Sequence, residues 1–234
     1  WNVGGVAVGT PNSTMYIVDA DETDVGSVIE CVASVQDTEG ETAESKATVT
    51  VENTEPTVDS VTLDQSVAYN DTTLTCSSNV SDPDETPNTT YTWQKNGTDL
   101  VMGQSIQLAD YNINPEDEMT CVALVEDGSN AQSTGDVSIS ISNRGPQLSN
   151  ILIDNTEPMV ETTINCSVDV TDEDGESLQP SYEWTIGSDS VGDLPAFTVD
   201  SSIAVDTEIT CTATVEDGYG GTDTISTVAI VQNT

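Results

Sequence analysis

Apolar residues recur with a period of two along much of this chain. Met119, Cys121, Ala123 and Val125 share one face of a single run, and Ile209, Cys211, Ala213 and Val215 repeat it. Ile29, Cys31, Ala33 and Val35 repeat it a third time. That is the signature of a half-buried strand. After the first two of these runs come Glu126-Asp127-Gly128 and Glu216-Asp217-Gly218, which predict turns, and Val137, Ile139 and Ile141 then predict a closing strand. A second kind of run places Leu74, Cys76 and Val80 inward, as it does Ile164, Cys166, Val168 and Val170. Tyr91 with Trp93, and Tyr182 with Trp184, begin the strand that follows. Short strands with turn signals about every 8–12 residues, and no helical period, predict an all-β sandwich.

The same positions reveal a repeat. Cys31, Cys76, Cys121, Cys166 and Cys211 are spaced by 45 residues throughout. Their surroundings alternate: Cys121-Val122-Ala123-Leu124-Val125-Glu126-Asp127 resembles the segments at Cys31 and Cys211, whereas Cys76 resembles Cys166. The period is therefore 90 residues, with two kinds of cysteine in each. Trp93 follows Cys76 by 17 residues and Trp184 follows Cys166 by 18. Asn53, Asn143 and Asn233 each lie 22 residues past the later cysteine, and Pro56 and Pro146 follow three residues on. Two whole repeats are expected, 54–143 and 144–234, after the C-terminal part of another, 1–53, which has no first strands.

Composition narrows the chemistry. Hydrophobic residues make up 35% and aromatic residues 4%, a thin supply for sandwich cores, which staples commonly supplement. Cysteines without a Cys-x-x-Cys or any histidine read as disulfides rather than zinc ligands, which implies an oxidising compartment. Closing a 45-residue loop is worth roughly 4 kcal/mol in the chain-entropy model. The formal charge is −39, which opposes binding to nucleic acid and to anionic lipid. Such a surface suits a salty medium, where counterions screen it, or an acidic secreted protein. No apolar run approaches the ~18 residues of a membrane span. Without histidine there is no Ser-His-Asp or Cys-His pair. A carboxylate pair for glycoside hydrolysis has no distinctive unit or insertion to hold it. The expectation is a protein that is not an enzyme and has no organic cofactor.

A cysteine, a tryptophan 17–18 residues later and a cysteine 45 after the first resembles the immunoglobulin-like pattern. The corner tyrosine of antibody domains is absent, since Ile29, Met119 and Ile209 occupy its position. The motifs Ser81-Asp82-Pro83-Asp84-Glu85, Tyr91-Thr92-Trp93, Asn96-Gly97, Val125-Glu126-Asp127-Gly128 and Asn53-Thr54-Glu55-Pro56 resemble tandem Ig-like or PKD-like repeats of large prokaryotic cell-surface proteins. The resemblance spans the chain and implies sandwiches arranged end to end. One inter-sheet disulfide per domain follows, Cys76–Cys121 and Cys166–Cys211, with Cys31 paired outside this segment. Trp93 and Trp184 then pack on the disulfides and are not sugar platforms. It implies a structural segment of an extracellular stalk or filament, a spacer or adhesion fibre whose partners are neighbouring repeats or copies of itself. The alternatives are an adhesin module that recognises a glycan or another cell, and a filament subunit assembled by donor strands. In the second case another subunit, instead of upstream chain, supplies the strands missing from 1–53.

Two groups of residues are candidate sites. Asp82, Asp84 and Glu85, and Asp172, Asp174 and Glu176, lie between the first cysteine of a repeat and its tryptophan. Glu126 and Asp127, and Glu216 and Asp217, lie in the following turn. In an Ig-like sandwich the two loops share the end that the linker enters, at Asn53 or Asn143. Convergent oxygens there suit Ca²⁺, which takes six to eight of them. The competing reading is a set of solvated acidic turns. Asn-x-Ser/Thr sequons mark Asn12, Asn70, Asn79, Asn88, Asn96 and Asn165 as glycosylation candidates.

Overall fold

The computed structural model describes residues 1–233. The first strands are β1 (Asn2–Val3), β2 (Val6–Ala7), β3 (Val28–Gln36) and β4 (Thr42–Thr50), in one sheet of order β2-β1-β3-β4. Next come β5 (Thr57–Leu63), β6 (Thr73–Ser81), β7 (Asn88–Lys95), β8 (Thr98–Met102), β9 (Ser105–Gln107), β10 (Glu118–Glu126) and β11 (Gln132–Ser140). They form sheets of order β5-β6-β9 and β11-β10-β7-β8. The remainder repeats this pattern with β12 (Gln147–Ile153), β13 (Thr163–Thr171), β14 (Ser181–Ile186), β15 (Asp189–Gly192), β16 (Ala196–Thr198), β17 (Glu208–Glu216) and β18 (Thr222–Ile230). Their sheets are β12-β13-β16 and β15-β14-β17-β18. Three strands facing four in this order is the immunoglobulin-like sandwich. A single 3₁₀ turn, Leu108–Asp110, is the only helical element among the described residues, so none contains a helix long and apolar enough to cross a membrane.

By its internal contacts the chain divides into two compact units. One comprises Trp1–Asp64, Thr75–Ile106 and Thr120–Ser138; the other comprises Gln65–Leu74, Gln107–Met119 and Ile139–Thr234.

Local sequence explains the turns. Lys95 pairs with Thr98, so Asn96 and Gly97 form a two-residue hairpin with φ of 49° and 77°. Both values lie in the left-handed region that Asn and Gly tolerate best. The five-residue turn after β17 is held from within: Asp217 Oδ1 accepts from the N–H groups of Tyr219 (2.8 Å) and Gly221 (2.7 Å). Asp127 does the same for Ser129 and Ala131, and Asp37 for Glu39 and Glu41. These Asx turns explain why one aspartate recurs at the same place in each repeat.

Disulfides join the facing sheets, from β6 to β10 through Cys76–Cys121 and from β13 to β17 through Cys166–Cys211. The core of the second unit gathers Ile153, Ile164, Cys166, Trp184, Val199, Ile209, Cys211, Ala229 and Val231. Trp184 stacks on Phe197 at 5.4 Å between ring centroids and donates its indole N–H to the carbonyl of Leu194. Trp93 is as fully buried as Trp184, which is core packing and leaves no platform for a sugar.

The sheet β2-β1-β3-β4 has no facing sheet among the described residues, and its side chains record that. Val125 and Val215 are 0% and 1% exposed, whereas Val35, in the same register, is 66% exposed. Cys31 is a half-buried free thiol, whereas its counterparts Cys121 and Cys211 are both cross-linked.

Candidate metal centres

Two matching constellations form where the linkers meet the acidic loops. In the first unit, Asn53 donates its amide Nδ2 to Asp127 Oδ2 at 2.7 Å, and the Thr54 N–H donates to Asp84 Oδ2 at 2.6 Å. The Asp84 N–H donates to Asp82 Oδ1 at 2.8 Å, and the Gly128 N–H to Glu85 Oε1 at 2.6 Å. In the second unit the partners are equivalent. Asn143 Nδ2 donates to Asp217 Oδ2 at 2.8 Å, the Arg144 N–H to Asp174 Oδ2 at 2.6 Å and the Asp174 N–H to Asp172 Oδ1 at 2.7 Å. The Gly218 N–H donates to Glu176. Glu85 and Glu176 thus hold the same position although Gly175 shifts the sequence by one residue.

These bonds leave particular oxygens over. Asn143 Oδ1, Asp172 Oδ2 and Glu176 Oε2 are buried without a hydrogen-bond partner, and so are Asn53 Oδ1 and Asp82 Oδ2. A buried acceptor left unsatisfied costs about 1–3 kcal/mol. Carboxylate oxygens of Asp172, Glu176 and Asp217 all lie within 4.8 Å of one another. With Asn143 Oδ1, Asp172 Oδ2 and Glu176 Oε2 orphaned and three carboxylates convergent, the second constellation offers the all-oxygen ligands that a hard cation such as Ca²⁺ takes.

The electrostatics agree. Burial pushes the Glu176 carboxyl above its ordinary value, and the charges of Asp172 and Asp217 push it further. At Asp217 burial works upward too, but the Asn143 amide and the N–H groups of Tyr219, Gly221 and Gly220 hold it below the ordinary value. Asp127 is lowered chiefly by the Asn53 amide, against the upward push of burial, with help from the N–H groups of Ala131 and Ser129. The second site thus crowds negative charge with nothing on three of its oxygens. The first is more open: Asp84 and Glu85 are exposed beside a cavity of about 530 Å³ that Thr23, Val51 and Gly128 also line.

Of the residues singled out by sequence, Asp82, Asp84, Glu85 and Asp127 come together, as do Asp172, Asp174, Glu176 and Asp217. Glu126 and Glu216 do not join them. Glu126 Oε2 accepts from Gln132, and Glu216 is exposed at the end of β17, because strand alternation turns the residue before the aspartate away. The side-chain amides of Asn53 and Asn143 are part of the sites, a role that their fixed distance from the cysteine signalled only as a boundary.

The sequon asparagines lie in different settings. Asn12, Asn79, Asn88 and Asn96 are exposed. Asn165 donates Nδ2 to Asp154 at 2.8 Å, and Asn70 donates Nδ2 to the backbone oxygen of Asp174 at 2.8 Å. A glycan on Asn70 requires that contact to break.

No protein-family model matches the sequence, and no curated protein matches it closely enough to count as a relative. Solved structures resemble it more loosely. The three N-terminal domains of the highly immunogenic outer capsid protein of bacteriophage RB49 align over 87% of this chain and 78% of theirs, at 15% identity and a TM-score of 0.32. The N-terminal eight Ig domains of Down syndrome cell adhesion molecule align over 99% of this chain and 32% of theirs, at 15% identity and 0.39. A Ca²⁺-stabilised adhesin that helps an Antarctic bacterium reach out and bind ice aligns over 92% of this chain and 58% of its own, at 17% identity and 0.31. Likenesses this distant say nothing of ligand or activity. The strand order and the inter-sheet disulfides are what define this chain as a tandem Ig-like β-sandwich protein.

Proposed function

We propose that this chain is a non-catalytic structural segment of a secreted or cell-surface array, whose 90-residue repeats, 54–143 and 144–234, act as stapled spacers with calcium at their boundaries. The observation that carries this reading is the recurrence of one boundary constellation, Asn53 with Asp82, Glu85 and Asp127, and Asn143 with Asp172, Glu176 and Asp217. A lone acidic turn needs only water. Two boundaries that bury the same asparagine amide oxygen and the same aspartate oxygen without partners call for something to satisfy them. Disulfides suit an oxidising compartment, and a repetitive array gains length by copy number without new contacts. Under this proposal the open sheet and Cys31 belong to a further sandwich whose other sheet, upstream in the same polypeptide or on another subunit, carries the partner cysteine.

An antibody against residues 54–143, applied to intact and permeabilised cells of the source organism and to its medium, tests the placement. Label on intact cells or in the medium is expected. Label confined to permeabilised cells contradicts the proposal.

A further inference from the structure

At one boundary the motif itself changes. The residue after the asparagine is Thr54 at the first boundary and Thr234 in the matching position near the end of the chain, but Arg144 at the second. The Arg144 guanidinium is engaged on all sides. Nε donates to Asp174 Oδ1 at 2.9 Å, and Nη2 lies 2.9 Å from the same oxygen. Nη1 reaches Asp71 Oδ2 at 3.1 Å and Glu173 Oε2 at 3.6 Å. Nη2 also donates to Asn70 Oδ1 at 2.8 Å and to the Glu173 carbonyl at 3.0 Å. The guanidinium carbon lies 4.8 Å from the centroid of the Tyr69 ring, and Asn70 returns a bond to the backbone oxygen of Asp174. The Asp174 side chain is 0% exposed.

The receiving loop is as particular as the arginine. Ahead of Arg144 it reads Tyr69-Asn70-Asp71; ninety residues on, ahead of Thr234, the same place reads Met159-Val160-Glu161. The second version has neither the aromatic face nor the amide. The arginine and the loop that fits it occur together, and both lie in the second compact unit.

We propose that Arg144 with Tyr69, Asn70 and Asp71 forms a clasp that holds the Asp172–Glu176 loop in place without metal, whereas the boundary at Thr54 depends on a bound cation for the same order. A planar guanidinium gives several fixed donors at once, stacks on an aromatic face and cannot lose its charge at any ordinary pH. At this boundary it neutralises carboxylates that otherwise repel one another. Thr54 donates its backbone N–H to Asp84 as Arg144 does to Asp174, but it brings no guanidinium to the first acidic loop. The array would then contain two sorts of boundary, legible in sequence: Asn-Arg preceded by Tyr-Asn-Asp is fixed, and Asn-Thr is responsive to calcium. The comparison between boundaries rests on the calcium reading above; the clasp itself does not.

Amide hydrogen exchange on the whole chain tests this, with wild type and Arg144→Thr each measured in calcium chloride and in EGTA. Retained protection across β17 and β18 shows that the variant folds. In EGTA the amides of residue 144, Asp174 and Gly175 are expected to exchange roughly tenfold faster in the variant than in wild type. In wild type, EGTA should release Thr54, Asp84 and Gly128 far more than their second-boundary counterparts. Equal exchange at 144, 174 and 175 in the two proteins in EGTA overturns the clasp. If the variant loosens in both buffers and calcium protects neither boundary, the clasp stands and the calcium reading falls.

Discussion

Hydrogen-bonded aspartates set much of the local structure. Asp154 accepts from the backbone N–H of Asn165 at 2.9 Å and from its side-chain amide at 2.8 Å, and both bonds hold its carboxyl below the ordinary value against the upward push of burial. Because the folded pKa is depressed, this contribution to stability is present above the unfolded value of about 3.8 and is lost as pH falls through the folded pKa. Asn165→Ala removes the side-chain bond and keeps the backbone one. The Asp154 pKa, followed by carboxyl NMR shifts, should rise part of the way to the ordinary value; an unchanged pKa contradicts the assignment. Asn165 is also a sequon residue, so a glycan there should act in the same direction. Little of this was legible beforehand. The Asn143–Asp217 bond joins residues 74 apart in sequence, and only folding brings them together.

Strands were far more readable, because burial with period two marks the inward face of β10 and β17 directly. What pattern alone misses is how the repeats exchange volume. Gly135 on β11 lies where a Cβ would come within 2.7 Å of Val58 and 3.1 Å of Val61. Its counterpart in the next repeat is Ile225, which packs, as Ile151 does, against the cluster of Leu148, Ala213 and Val215. The glycine is therefore a packing solution specific to β5 against β11, with no positive φ to require it. Gly135→Val should destabilise the protein by about 1–3 kcal/mol through overpacking, measured by urea unfolding. No loss of stability shows that β5 can move aside. Turn chemistry was equally plain at Asn96-Gly97 and at the Asx turns. The offset between Glu85 and Glu176 was not, since one inserted glycine conceals that both accept from the same backbone N–H.

For the whole molecule, sequence period, sheet order and staples all describe one sandwich used again and again. The −39 charge is tolerable when it is spread over solvent, but at the boundaries it is gathered around buried oxygens. A cation that binds only the folded state stabilises it by mass action, about 2.7 kcal/mol at a free concentration of 100 times Kd. The direct test is calcium titration into the intact, EGTA-stripped chain by calorimetry, with melting followed in parallel, for wild type and for Asp172→Asn with Glu176→Gln. The account predicts saturable binding in wild type with a rise in Tm of roughly 5–10 °C, and loss in the double variant of the binding due to the second site. Absence of both binding heat and any Tm shift in wild type up to ~10 mM calcium, above the range of weak extracellular sites, would contradict it.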